Sequence, residues 1–279
     1  MAILCIAGPT ASGKSKEAIV QARSRGGEII SVDARQVYRG LDVGTEKVPL
    51  HERGDIPHHL LDIREPEETY SAGDFVRDAA RLIKEIRARG KTPILAGGTH
   101  FYFDALLNGL PAQVPMNPTL RTEIAQLTTE ELYKKIKVAD PVRADALDPK
   151  NRRRLVRAFE IIAAHGRVPK RIEIPASPYE PEWIVINPPK EVLRARINTR
   201  LQSALNRGLI EEVRRVRERV GDERLNELGL EYRIVGEYLR RERSEESLFP
   251  TLSAKLWQYA RRQKSWLRKI VTASTCGTL

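Results

Sequence analysis

Six apolar residues, Ala2 to Ala7, run directly into Gly8-Pro9-Thr10-Ala11-Ser12-Gly13-Lys14-Ser15, and no helix breaker follows until Gly26 and Gly27. The order strand, glycine-bounded loop, helix narrows the choice of fold more than any other stretch of the chain, because it reproduces G-x-x-x-x-G-K-S in the context that makes it a phosphate loop. Glycines let backbone N–H groups turn inward around an anion, and the helix N-terminus adds its positive end. Lys14 supplies a point charge and Ser15 a hydroxyl able to ligate Mg²⁺, the one metal and cofactor expected. All eight residues are therefore candidates for holding a pyrophosphate-bearing ligand.

Two further apolar runs, "EIISVD" (28–33) and "TPILAGG" (92–98), predict buried strands, and a helical stretch from Phe75 to Arg89 precedes the second. Such alternation predicts an α/β fold, a P-loop-type parallel sheet flanked by helices. From about Pro115 to Pro178, prolines 115, 118, 141, 149, 169, 175 and 178 punctuate helical fragments such as "RRRLVRAFEIIAAHG" (152–166). This region reads as a small helical insertion domain, residues 118–178, dividing a core of 1–117 from its completion in 179–279. There "EWIVINP" (182–188) returns to the sheet, Leu193, Ile197, Leu201 and Leu205 recur every four residues, and a helical C-terminal region extends through 252–270. The closing "TASTCGTL" reads as a tail.

The 279 residues carry 48 Lys and Arg against 37 Asp and Glu, a formal net charge of +11. Twenty basic and 12 acidic residues lie beyond Pro189, so most of the excess sits in the last third. An anionic partner the size of a nucleic acid fits this balance. At 41% hydrophobic and 30% charged residues the composition is that of a globular protein rather than a disordered one. No apolar run approaches the ~18 residues of a spanning helix, and the N-terminal run lacks a signal-peptide pattern, so no membrane partner and a cytoplasmic location are expected. Cys5 and Cys276 cannot build a disulfide framework. His58 and His59 stand without further ligands at metal spacing and read as loop-ordering residues. No heptad or broad apolar stripe demands a second copy, and a monomer is expected.

A nucleoside triphosphatase with such a loop usually holds Mg²⁺ with an aspartate at the end of a neighbouring strand. Here "TPILAGGTH" ends in Gly97, Gly98 and Thr99. The acid that ends a core strand is Asp33, which in a small-molecule kinase could face the acceptor, so ATP is disfavoured but stays open. A P-loop kinase, and a non-catalytic RNA-binding module with a relict loop, are the two rival readings.

"GPTASGKS", "SVDARQVYRGLDVGT", "IPHHLLDI", "YSAGDF" and "PILAGGTHFYFDALLNGLP" occur in this order, followed by "RRRLVRAFEI", "RINTRLQSALNRGLIEEV" and "YARRQKSWLRK". Together they resemble the tRNA dimethylallyltransferase (tRNA isopentenyltransferase) family over nearly the whole chain. The resemblance implies that the cradle holds dimethylallyl diphosphate and that its five-carbon group passes to N6 of the adenine at position 37 of tRNA, next to the anticodon. It implies Asp33 as general base on N6, Thr99 as a residue ordering the reaction centre, and Arg200 as a partner of the departing pyrophosphate, with Arg196 a weaker candidate one turn earlier. It also implies contacts to the tRNA anticodon stem-loop by Ala34, Arg35 and Gln36, with Gln36 placed to bond the adenine edge. Arg121, Arg153, Arg154, Arg157, Tyr232, Arg233, Arg261, Arg262 and Gln263 are further candidates for RNA contact, and Trp266 reads mainly as a core anchor. Departures from the family pattern fall at Ala34, His100, Phe101, Phe159, Arg261 and Ser265; Ala34 removes a hydroxyl that could touch the acceptor base.

Overall fold

The computed structural model describes residues 2–110, 114, 117–168 and 177–275, with side chains described as far as Arg268. Cys276 and prolines 115, 169 and 175 lie outside the described residues. The chain forms two compact units, one of residues 1–107 with 178–279 and one of 108–177.

The first unit is built on a parallel five-stranded sheet. Its strands are β1 (Ala2–Ala7), β2 (Gly27–Val32), β3 (His58–His59), β4 (Thr92–Gly97) and β5 (Glu180–Val185), in the spatial order β3-β2-β4-β1-β5. Helices α1 (Lys14–Arg25), α2 (Leu50–Arg53), α3 (Ala72–Ala88) and α4 (His100–Asn108) belong to its first half. Every residue of β2 is buried, and Leu4, Ile6, Ile29 and Ile94 pack on one sheet face against Ala18 and Ala22 of α1. Ile3, Cys5, Ile30 and Leu95 on the other face meet Phe75, Ala79, Ile83 and Ile86 of α3. Burial on both faces explains why these strands read as continuous apolar runs. Cys5 is fully buried, and burial raises its thiol pKa far above the ordinary value, which makes it inert.

Strand β3 was not foreseen. Its two residues are too few for a periodic signal, and they pair only at the sheet edge. His59 Nε2 lies 2.7 Å from Glu28 Oε2 and His58 Nδ1 2.9 Å from the Ile56 carbonyl, so both histidines order the edge. Among the described residues no group of three or more His, Cys, Asp or Glu could hold a metal ion.

The second unit comprises α5 (Pro118–Ala125), α6 (Thr129–Ala139), α7 (Pro141–Asp145) and α8 (Arg152–His165) around Ile124, Leu132, Ile136, Ala144, Leu155, Ala158 and Ile162. Asn117, Thr128, Asp140 and Asn151 each cap a helix through a side-chain oxygen, so the polar punctuation between the prolines sets the helix starts.

The first unit continues in α9 (Lys190–Asn206), α10 (Leu209–Glu227), α11 (Leu230–Leu239) and α12 (Leu248–Thr275). Leu193, Ile197, Leu201 and Ala204 form the buried stripe of α9, and Leu248, Leu252, Leu256, Ala260 and Leu267 that of α12. No helix among the described residues is long and apolar enough to cross a membrane.

Candidate active site

In the order β2-β4-β1, Val32, Gly97 and Ala7 stand side by side in register. Adjacent strands lie about 4.8 Å apart. The residues that follow, Asp33, Gly98-Thr99 and Gly8, therefore emerge together at the carboxyl ends of three neighbouring strands, where open α/β sheets bind ligands. A Cβ at Gly97 would run into the Val32 carbonyl, and one at Gly98 would lie 2.7 Å from Gln263 Nε2, so this convergence requires both glycines.

The loop from Gly8 to Ser15 is closed by Ser12 N–H donating to the Pro9 carbonyl at 3.3 Å. Gly13 has φ +100° and Ala11 φ +60°, the left-handed geometry that turns successive amides inward. Lys14 Nζ donates to the Pro9 carbonyl at 2.9 Å. Its pKa is pushed down to about 8, first by burial and then by the Arg200 guanidinium, with Asp33 opposing. Lys14 as a whole residue is half-buried. Two arginines of α9 reach the same loop: Arg200 Nη2 donates to Thr10 Oγ1 at 2.5 Å and Arg196 Nη1 to the Ser12 carbonyl at 3.0 Å. Arg200 is thus joined to the cradle, and Arg196, ranked below it from sequence, touches it too. The Ser12 hydroxyl, 2% exposed, has no hydrogen-bond partner among the described residues. Ser15 is exposed on the first turn of α1.

Asp33 Oδ1 accepts from Arg35 N–H at 2.8 Å and Gln36 N–H at 3.3 Å, while Oδ2 has no hydrogen-bond partner among the described residues. One oxygen braces the turn and the other is available for chemistry. Thr99 accepts from Ala34 N–H through Oγ1 at 3.0 Å and donates its own N–H to the Val32 carbonyl at 3.1 Å, which ties the end of β4 to the segment bearing Asp33. Glu231, half-buried at the start of α11, was missed from sequence. Burial raises its pKa, and the Asp33 charge adds in the same direction, so the two carboxyl groups feel one another. Nothing in "GLEYR" announces this, because the proximity depends on where α11 docks.

Several residues expected on an RNA surface have other work in the structure. The Gln36 amide, expected on the adenine edge, is engaged within the protein: Oε1 accepts from Ser31 Oγ at 3.0 Å and Nε2 donates to the Thr45 carbonyl at 3.1 Å, bracing the loop that follows. Tyr232 is 1% exposed and donates at 2.7 Å to Glu212, a buried carboxylate that also accepts the N–H groups of Asp42, Val43 and Gly44. It is a core anchor of that loop. Gln263 is 5% exposed and bonded at both ends of its amide, to Thr10 N–H and the Gly98 carbonyl. In the second unit, Arg121 Nε (2.6 Å) and Arg157 Nη1 (3.2 Å) both pair with Glu160, whose side chain is fully buried. Arg153 and Arg154 are exposed on α8, as are Arg233 on α11 and Arg261 and Arg262 on α12; none of the five pairs with an acidic side chain among the described residues. Arg35 is half-buried, its Nε 3.8 Å from where a Cβ of Gly229 would stand. Trp266 stacks on His100 with ring centroids 4.3 Å apart and planes 5° from parallel, in keeping with an anchoring role.

The IPP transferase family model matches residues 36–270. The chain belongs to the IPP transferase family. It is 39% identical over 276 residues to the tRNA dimethylallyltransferase of Thermomicrobium roseum, covering 96% of this chain and 84% of that one. It is 40% identical over 271 residues to tRNA dimethylallyltransferase 2 of Syntrophotalea carbinolica, covering 96% and 90%. Among solved structures it resembles the tRNA isopentenylpyrophosphate transferase of Bacillus halodurans, with TM-score 0.71, 34% identity and coverage of 96% and 86%. A eukaryotic dimethylallyltransferase captured acting on tRNA superposes with TM-score 0.84 at 28% identity, covering 95% of this chain and 69% of that one. The family and the parallel α/β architecture expected from the motifs are thereby established.

Proposed function

We propose that this member of the family transfers a dimethylallyl group from dimethylallyl diphosphate to N6 of adenine 37 in tRNA and releases pyrophosphate. The observation that carries the reading is the meeting, at three adjacent strand ends, of an anion loop, a carboxylate with one oxygen uncommitted among the described residues, and a threonine tied to the segment that bears that carboxylate.

The exocyclic amine is a weak nucleophile because its lone pair is delocalised into the ring, so holding it in line with C1 of the allylic diphosphate supplies much of the rate. As the N6–C1 bond forms and the C1–O bond breaks, the N6 proton passes to Asp33 Oδ2 and the electron pair leaves on pyrophosphate. Charge growing on that group is met by fixed donors: the loop amides, Lys14, the orphaned Ser12 hydroxyl and Arg200, which already lies on Thr10. Ser15, exposed on the first turn of α1, would hold Mg²⁺, and the ion when bound would screen phosphate charge. The adenine must leave the anticodon-loop stack at a cost of roughly a few kcal/mol, offset by contacts to the RNA backbone. Arg153, Arg154, Arg233, Arg261 and Arg262, exposed and without acidic partners among the described residues, are the side chains best suited to make them.

The test mixes the protein, Mg²⁺, labelled dimethylallyl diphosphate and unmodified tRNA, in parallel with Asp33→Asn. Label should enter wild-type reactions and fall at least a hundredfold with the variant. Label passing instead from γ-labelled ATP to a small molecule would replace this reading with that of a kinase.

A further inference from the structure

Gln263 lies on the buried stripe of α12, between Ala260 and Leu267, where helical spacing calls for an apolar residue. A polar side chain is tolerated there only if its hydrogen bonds are made. Its Oε1 accepts from Thr10 N–H at 2.8 Å, across 253 residues, and its Nε2 donates to the Gly98 carbonyl at 2.8 Å, across 165. Among side chains in their ordinary neutral-pH state, a primary amide is the one that offers an acceptor and a donor side by side at the end of one short stem. Its two partners are a backbone amide of the anion loop and the residue before Thr99. Gly98 lacks the Cβ that would collide with Nε2, and that same Cβ position is 3.7 Å from Lys14 Nζ.

We propose that Gln263 is a positioning residue for the transfer step: it fixes the offset between the anion loop and the Gly98-Thr99 segment, and so the line from attacking amine to departing diphosphate. The inference rests on the function proposed above. Thr10 is held at two atoms, its N–H by Gln263 and its hydroxyl by Arg200, so the loop has one orientation relative to Thr99 and Asp33. Gln263 faces the core, while Arg261 and Arg262 beside it face solvent. One turn of α12 thus carries both an exposed basic pair and a clamp on the cradle.

Gln263→Met keeps the volume and loses both hydrogen bonds; Gln263→Glu keeps the acceptor and sets a second oxygen against the Gly98 carbonyl. Single-turnover transfer from dimethylallyl diphosphate to tRNA should show a rate constant at least tenfold lower in both, with the burst amplitude retained. Affinity for tRNA and its salt slope should stay within twofold of wild type. A merely structural role would lower amplitude and melting temperature and leave the rate constant alone; an RNA contact would weaken tRNA binding and flatten the salt slope. Either result overturns the proposal. Where a variant has lost the wild-type melting transition, Gly98→Ala, which displaces Nε2 and leaves Gln263 present, should give the same fall in rate constant, and an unchanged rate constant there also overturns it. Wild-type protein without any transfer would instead sink the proposed function.

Discussion

His100 shows how much one residue's chemistry depends on its surroundings. It is 7% exposed, stacks on Trp266, and its Nε2 has no hydrogen-bond partner among the described residues. Its pKa is pushed down to about 4, chiefly by burial and secondarily by Lys14. The unfolded chain takes up a proton near 6.5 and the folded one only near 4, so titration of His100 leaves stability unchanged above pH 6.5 and destabilises the folded state progressively as pH falls toward 4. At the acid end the cost reaches about 3 kcal/mol. His100→Phe, which keeps a stacking ring and removes the titration, should flatten the loss of melting temperature between pH 6.5 and 4. Parallel profiles for variant and wild type would disprove the assignment. Asp33 carries the complementary lesson: Oδ1 braces the turn, and the proposed role as base falls to the other oxygen of the same carboxylate.

Among the elements, α3 was legible almost to its ends. Ser71 and Asp74 form a reciprocal capping box, and Phe75, Ala79, Leu82, Ile83 and Ile86 make its buried face. Ser71→Ala should lower stability by about 1 kcal/mol, read as a fall of roughly 2–4 °C in melting temperature with no change in donor affinity. No change in melting temperature would mean that the exposed cap is satisfied by water instead. Other elements were legible in type and not in role. The four-residue repeat of α9 announced a helix, yet that its arginines 196 and 200 clasp residues 12 and 10 follows from docking. In "YARRQKSWLRK" the two residues before Gln263 are basic and exposed, and the pattern groups the glutamine with them; a one-residue rotation about the helix axis, about 100°, takes it into the core.

For the whole molecule, the basic excess points to RNA, and the exposed α8 arginines allow a test. Replacing Arg153 and Arg154 together by Ala should weaken tRNA binding and reduce the slope of log K against log salt by about 2, leaving pyrophosphate binding unchanged. An unaltered slope would remove them from the RNA surface. Arg121 and Arg157, held on Glu160, should instead cost stability when replaced, and only the structure tells the two pairs apart. The amino-acid order alone determined the strand-loop-helix start, the parallel sheet, the phosphate cradle and the acid that ends β2, because each is written in contiguous residues through hydrophobic period, glycine placement and helix punctuation. Tertiary structure decided which side chains reach the cradle and which stay in water. Those contacts join residues up to 253 positions apart, and apart from the Thr10 hydroxyl under Arg200 their partners are backbone amides and carbonyls that nearly every residue type presents alike, so no local pattern could encode them.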